Sequence, residues 1–203
     1  MLLTEAKLAV VYHSGYGHTA AQAAAVQRGA AQPGMETHLI AIDGDVPPWE
    51  LLETVDAIVF GSPTYMGGQS AQFKAFQDAT SQTVFAAGTR WKDKLAAGFT
   101  NSASRSGDKL ATLQQLAIFA AQHGMHWVNL GLPPGNNAST GSESDLNRLG
   151  FFLGAAAQSN ADEGPDVAPP TSDLLTAEHL GRRVAHVAMQ LARGRKALDP
   201  AHA

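Results

Sequence analysis

Leu8-Ala9-Val10-Val11-Tyr12-His13-Ser14-Gly15-Tyr16-Gly17-His18-Thr19 runs from an unbroken apolar segment into a glycine-bearing turn. Leu8 to Tyr12 has no polar alternation, which predicts a strand buried on both faces. Thr19 to Ala31 is alanine-rich and stops before Pro33-Gly34, which predicts a helix. A turn between such a strand and helix offers free backbone amides and the positive end of a helix dipole, so it suits a phosphate. Gly15 and Gly17 let the backbone approach closely, while Ser14 and Thr19 add hydroxyls and His18 a ring N–H. Donors without a lysine fit a phosphate monoester. The same residues also read Gly15-x-Gly17-x-x-Ala20, the dinucleotide turn, for which Asp43 or Asp45 could hold a ribose. A ligand-free strand–helix turn is a third possibility.

The pattern repeats outward from this stretch. Thr37–Ile42 is a second strand before Asp43-Gly44-Asp45, and Pro48–Thr54 suits a short helix. Ala57–Phe60 is a third buried strand, stopped by Gly61-Ser62-Pro63, and Ser70 caps a helix through Thr80. Leu95–Phe99 is a fourth strand, Leu110–His123 a helix, Trp127–Leu130 a fifth strand, and Ala177–Arg193 a closing helix. Such alternation predicts an α/β fold: a doubly wound five-stranded parallel sheet with helices on both faces. The expectation is a single domain over 1–203, with a long insertion or cap at about 131–171.

Ligands in such sheets lie beyond the carboxyl ends of the strands. The loop after strand three is Gly61-Ser62-Pro63-Thr64-Tyr65-Met66-Gly67-Gly68, where a proline, an aromatic and two glycines could seat a flat ring. The loop after strand four, Asn101-Ser102-Ala103-Ser104-Arg105-Ser106-Gly107, offers hydroxyls and one cation. A nicotinamide-only dinucleotide domain has no special need for the second loop, whereas a mononucleotide with a tricyclic ring does.

Together these motifs resemble the WrbA family of flavodoxin-like NAD(P)H:quinone oxidoreductases, which bind FMN. The matching pieces are Val10 to Thr19, Ile58 to Gly68, and Ala121-Gln122-His123-Gly124-Met125. The resemblance implies a flavodoxin-like sheet of order 2-1-3-4-5 and non-covalent FMN. NADH or NADPH would be the co-substrate and a quinone the acceptor, in a ping-pong cycle at one site. It implies that Ser14, Gly15, Tyr16, Gly17, His18 and Thr19 hold the phosphate. Pro63, Thr64, Tyr65, Met66 and Gly67 would border the ring, and Asn101, Ser102, Ala103, Ser104, Arg105 and Ser106 would follow its pyrimidine side. Tyr16 and His123 would be catalytic residues of the substrate pocket. Phe85 would close that pocket where the family has a tryptophan from a neighbouring subunit, with Trp91 the second candidate. Read without the resemblance, His123 is a cation at a helix C-terminus. Tyr65 stands where better-known members carry arginine, and Asn147 to Phe152 replaces a Gly-Pro-Tyr-Gly type loop.

Composition narrows the classes further. The 203 residues are 44% hydrophobic and 16% charged, as in globular proteins. A formal net charge of −4 without a basic run argues against nucleic-acid binding and, more weakly, against an anionic membrane. Cysteine is absent, which excludes disulfides, thiolate metal sites and a cysteine nucleophile. The remaining histidines, among them His38, His126, His186 and His202, lack ligand spacing, so no metal is expected. Met1 to Lys7 carries no targeting pattern and no apolar run could span a bilayer, so the expected location is the cytoplasm. The resemblance implies a homotetramer, with Leu149, Phe151, Phe152 and Leu153 as a candidate interface patch. Two other functions compete: a flavodoxin-type electron carrier and a nicotinamide-only dehydrogenase.

Overall fold

A computed structural model describes residues 5–44 and 46–198, so Asp45 and His202, together with residues 1–4 of the N-terminal reading, lie outside the described residues. The central strand β1 (Ala6–Tyr12) runs parallel to β2 (Met35–Ala41) on one side and to β3 (Ala57–Tyr65) on the other. Beyond β3 lies β5 (Leu95–Ser102), and then β6 (His126–Trp127). The short β4 (Gly68–Gln69) folds back antiparallel on β3. The helices are α1 (His18–Ala30), α2 (Trp49–Thr54), α3 (Ala71–Thr80), α4 (Lys109–Gln122) and α5 (Thr171–Leu198).

The unbroken apolar run of β1 follows from its place in the middle. Leu8 and Val10 pack toward α1 and α5, while Ala9 and Val11 pack toward the other face, with Phe60, Phe73, Phe76, Trp91 and Phe119. Both faces of the strand are dry, so neither tolerates a polar residue. On the first face, α1 and α5 approach closely enough to need glycine. A Cβ on Gly29 would stand 1.8 Å from the Glu178 carbonyl oxygen, and one on Gly181 would stand 1.9 Å from that of Val26. Neither helix backbone can yield as a side chain would. Gly181→Ala should therefore lower stability by about 1–3 kcal/mol, seen as a lower Tm in thermal unfolding.

The strand order is that of the flavodoxin-like sheet; the closing helix, expected over Ala177–Arg193, spans Thr171–Leu198, and the parallel strands differ from the expected ones at three places. First, β3 continues through Gly61-Ser62-Pro63 to Tyr65 rather than stopping there. Proline is tolerated because β1 has already ended, with Tyr12 opposite Gly61, so this end of β3 is an edge on that side. Second, β5 extends beyond Phe99 to Ser102. Third, the fifth place in the sheet is split. β6 pairs Leu95 and Ala96, the chain leaves after it, and β7 (Ala155–Gln158) returns to pair Phe99 to Ser102. Of the expected strand Trp127–Leu130, only Trp127 lies in β6. The chain re-enters at Gly154, where a Cβ would lie 2.0 Å from the Gly98 carbonyl oxygen.

Candidate functional site

At the carboxyl ends of β1, β3 and β5 lies a cleft of about 550 Å³, within the range of small-molecule sites. Ser14, Tyr16, His18 and Thr19 line one part of it. Pro63, Thr64, Tyr65 and Met66 line a second, and Asn101, Ser102 and Ala103 a third. The structure thus brings the three loops together. It adds Ser159 and Ala161, just after β7, which the sequence did not indicate.

The turn after β1 leaves its backbone donors free. Gly17 sits at φ +87, in the left-handed region, immediately before the first residue of α1. The amides of Tyr16, Gly17, His18 and Thr19 donate to no described group, and neither does the hydroxyl of nearly buried Thr19. First-turn helix amides have no intrahelical acceptor, so they are free to bind a ligand. Ser14 Oγ accepts from the Ala20 amide at 3.1 Å, which fixes the hydroxyl at the rim of the turn.

His18 has a different role from the one its sequence position suggests. Its Nε2 lies 2.8 Å from the Glu163 carbonyl oxygen, and a carbonyl can only accept, so Nε2 carries the proton. The ring N–H expected for an anion is already used to fasten the 160–165 segment over the turn. Pro165 completes that contact, since a Cβ on Gly17 would stand 2.7 Å from its ring.

The second wall is aromatic. The Tyr65 hydroxyl rests on the turn after β1, where a Cβ on Gly15 would be 2.6 Å away, and Tyr16 meets Tyr65 edge-on at 6.2 Å. Burial raises the Tyr65 pKa, Tyr16 adds to the rise, and the Gly15 amide opposes it, so the phenol is neutral. Met66 and Gly67 form the β3–β4 hairpin turn, at φ 48 and φ 88. Two positive φ values suit that hairpin, but methionine is strained in the first. The Met66 side chain is fully exposed, so Met66→Asn should raise stability by about 1 kcal/mol, seen as a higher Tm. Thr64 turns its hydroxyl inward, 2.8 Å from both Thr100 and Thr112, so its side-chain oxygen is held by the protein.

The third loop divides. Asn101, Ser102 and Ala103 line the cleft, and Asn101 donates to Ser159 Oγ at 2.8 Å. Arg105 lines a neighbouring cavity instead, with Glu143 and Arg148, and is paired to Glu143 at 2.8 Å. Ser104 and Ser106 are not among the residues lining the cleft. Asp43, the acid considered for a ribose, is exposed beside Tyr12 and His13 and does not line the cleft.

His123 and Phe85 lie elsewhere. They line a separate cavity of about 950 Å³ on the α3–α4 side, with Gln77, Thr80 and Ile118. His123 is buried and packs against Phe119 and Trp91 at 4.8 and 5.1 Å; Thr80 Oγ1 gives its proton to the Gln77 carbonyl, so His123 Nε2 donates to Thr80 Oγ1 at 2.9 Å. Within one chain neither residue meets Tyr16. Trp91 is fully buried in the core and so is no pocket aromatic. Burial lowers the pKa of His123, and also of His13 and His179. The unfolded chain then binds protons that the native state resists, so stability falls as pH drops below the ordinary value of 6.5. The loss is complete at the depressed native values. Tm measured across that interval should fall with pH, and His123→Gln should flatten the slope. Among the described residues no cluster of three metal-ligating side chains occurs, and no helix is long and apolar enough to cross a membrane.

Comparison with known proteins shows the family and the fold. The family model described as NADPH-dependent FMN reductase matches residues 9–138. The flavodoxin FldP of Pseudomonas aeruginosa is 45% identical, over 91% of this chain and 98% of its own length. An NAD(P)H dehydrogenase (quinone) of Archaeoglobus fulgidus is 32% identical, over 92% of this chain and 99% of its own. A crystal structure of a WrbA-like flavodoxin from Agrobacterium tumefaciens superposes with a TM-score of 0.71 at 43% identity, covering 91% of this chain and 98% of that one.

Proposed function

The chain belongs to the NADPH-dependent FMN reductase family, and we propose that it is an FMN-dependent NAD(P)H:quinone oxidoreductase, the whole chain acting as one domain. One observation carries the reading: unpaired amides at the head of α1 open into the same cleft as a tyrosine-bearing wall from β3. The residues fit the cofactor. Four free amides and the Ser14 and Thr19 hydroxyls suit its phosphate, and glycines at 15 and 17 let Tyr65 and Pro165 pack directly on the turn. FMN held there would supply the two-electron chemistry that links a nicotinamide to a quinone.

The chain's own residues bind and orient. Ser14 to Thr19 would hold the phosphate by donors alone. Tyr65 and Met66 would border the ring, and Asn101 to Ala103 would meet its polar edge. Tyr16, largely exposed at the mouth, would cover the substrate that stacks there. A single mouth admits the nicotinamide and the quinone in turn. Steady-state lines at several quinone concentrations should then run parallel, and intersecting lines would rule out the one-site cycle.

The proposal includes a cytoplasmic homotetramer. His123 and Phe85 line a cavity apart from the cleft, so they would reach a substrate only in another subunit's site. The half-exposed Phe85 and the exposed Ile118 support such a contact. Phe152 is the exposed member of the candidate patch at 149–153. A second reading, electron carriage without a nicotinamide reaction, is favoured by the 45% identity to a protein named a flavodoxin. Anaerobic mixing of the FMN-loaded protein with NADH or NADPH separates the two, since a carrier leaves the flavin oxidised.

A further inference from the structure

The loop from Ala103 to Arg105 has every carbonyl occupied from behind. Gln158 Nε2 donates to the Ala103 oxygen at 2.9 Å. Lys109 Nζ donates to the Ser104 and Arg105 oxygens at 2.6 and 2.9 Å, and Ser102 Oγ donates to Ser104 as well. The amides of Ser104, Arg105 and Ser106 donate to no described group. In a trans peptide the N–H points opposite the carbonyl, so carbonyls drawn inward leave the amides facing out. Consecutive outward amides form a concavity for anionic or carbonyl oxygens.

Lys109 is an unusual residue to find there. It is fully buried at the first position of α4, the end of a helix that disfavours a cation. No carboxylate pairs with it directly. Its positive charge is placed against backbone carbonyls beside the cleft, with Asp173 acting on it only at longer range.

We propose that Lys109 is a positioning residue that turns the 103–106 loop into an all-donor edge and thereby favours the two-electron-reduced form of the bound flavin. The inference rests on the FMN reading above. Reduction places negative charge on the ring's pyrimidine side, the side that the resemblance implies for Asn101 to Ser106, and this loop reaches the cleft through Ala103. An all-donor loop backed by a buried cation stabilises that charge more than it stabilises the oxidised ring. Burial lowers the Lys109 pKa to about 8, with nearby Asp173 opposing the fall, so the ammonium keeps its charge at neutral pH.

The test compares wild type, Lys109→Met and Lys109→Gln loaded with FMN. Affinity for oxidised FMN is read by flavin fluorescence, and the midpoint potential by equilibrium reduction against a reference dye. Glutamine keeps a donor and loses the charge, so it carries the comparison if the methionine variant does not fold. Both variants should still bind oxidised FMN. The reduced form should bind about tenfold more weakly relative to the oxidised form, equivalent to a midpoint potential about 30 mV lower. An unchanged potential in Lys109→Gln would overturn the assignment. Wild-type protein that binds no FMN would instead sink the functional reading beneath it.

Discussion

Replacing Gly17 with alanine should weaken FMN binding by about 100-fold while leaving the apoprotein folded. Two effects add. Alanine at φ +87 is strained by about 1–2 kcal/mol. Its methyl would also meet the Pro165 ring at 2.7 Å, and crowding of that kind costs about 1–3 kcal/mol. The apoprotein can relieve both by letting the 160–165 segment lift and the turn relax. Binding the phosphate requires the turn to re-form, so the penalty falls on the complex. A total near 3 kcal/mol corresponds to about two decades in Kd. Fluorescence titration with FMN reads the loss, and far-ultraviolet dichroism of the apoprotein checks the fold. Unchanged affinity would mean that the turn after β1 does not hold the phosphate.

The second large effect lies outside the cleft. Arg148 donates through Nε and Nη2 to the two carboxylate oxygens of Asp173, both at 2.8 Å, and it also pairs with Glu143. Both side chains of the Arg148–Asp173 pair are almost wholly buried. Asp173 further accepts from the Gln158 amide at 2.9 Å, which ties the pair to β7 and so to the cleft wall. Burial alone would lower the Arg148 pKa, but Asp173 and Glu143 more than offset it, so the guanidinium stays charged. Arg148→Met leaves a buried carboxylate without its partner, and stability should fall by about 3–5 kcal/mol in denaturant unfolding. The double variant Arg148→Met, Asp173→Leu removes both charges and should recover much of that loss. A single variant as stable as wild type would show that the network contributes little.

The legible parts of the molecule were those with a strong local pattern. The runs at Leu8–Tyr12 and Ala57–Phe60 read as strands buried on both faces, and the order of strands and helices then limited the topology. The serine hydroxyl at Ser70 caps α3, accepting from the Phe73 amide as its position suggested. What escaped is what long-range contacts decide. Ala155-Ala156-Ala157 has helical propensity and no β-branched residue, yet it forms β7 because Phe99 to Ser102 offers an open edge. The return of the chain over the turn after β1, through Glu163 and Pro165, has no local signature either. His18 was legible as a residue of the turn, but its hydrogen bond runs to a carbonyl 145 residues away. His123 shows the limit of motif position. Its place after α4 is as expected, but the aromatic core around Phe119 and Trp91 buries it away from the cleft. Lys109 reads as an ordinary surface lysine until the loop it supports is folded.

The most direct test of the central claim is the visible flavin spectrum of FMN-loaded protein, mixed anaerobically with NADH or NADPH and then with a quinone. The account predicts bleaching by the nicotinamide within turnover time and full return of the oxidised spectrum on adding the quinone. A flavin spectrum that persists unbleached with either nicotinamide would contradict the oxidoreductase assignment.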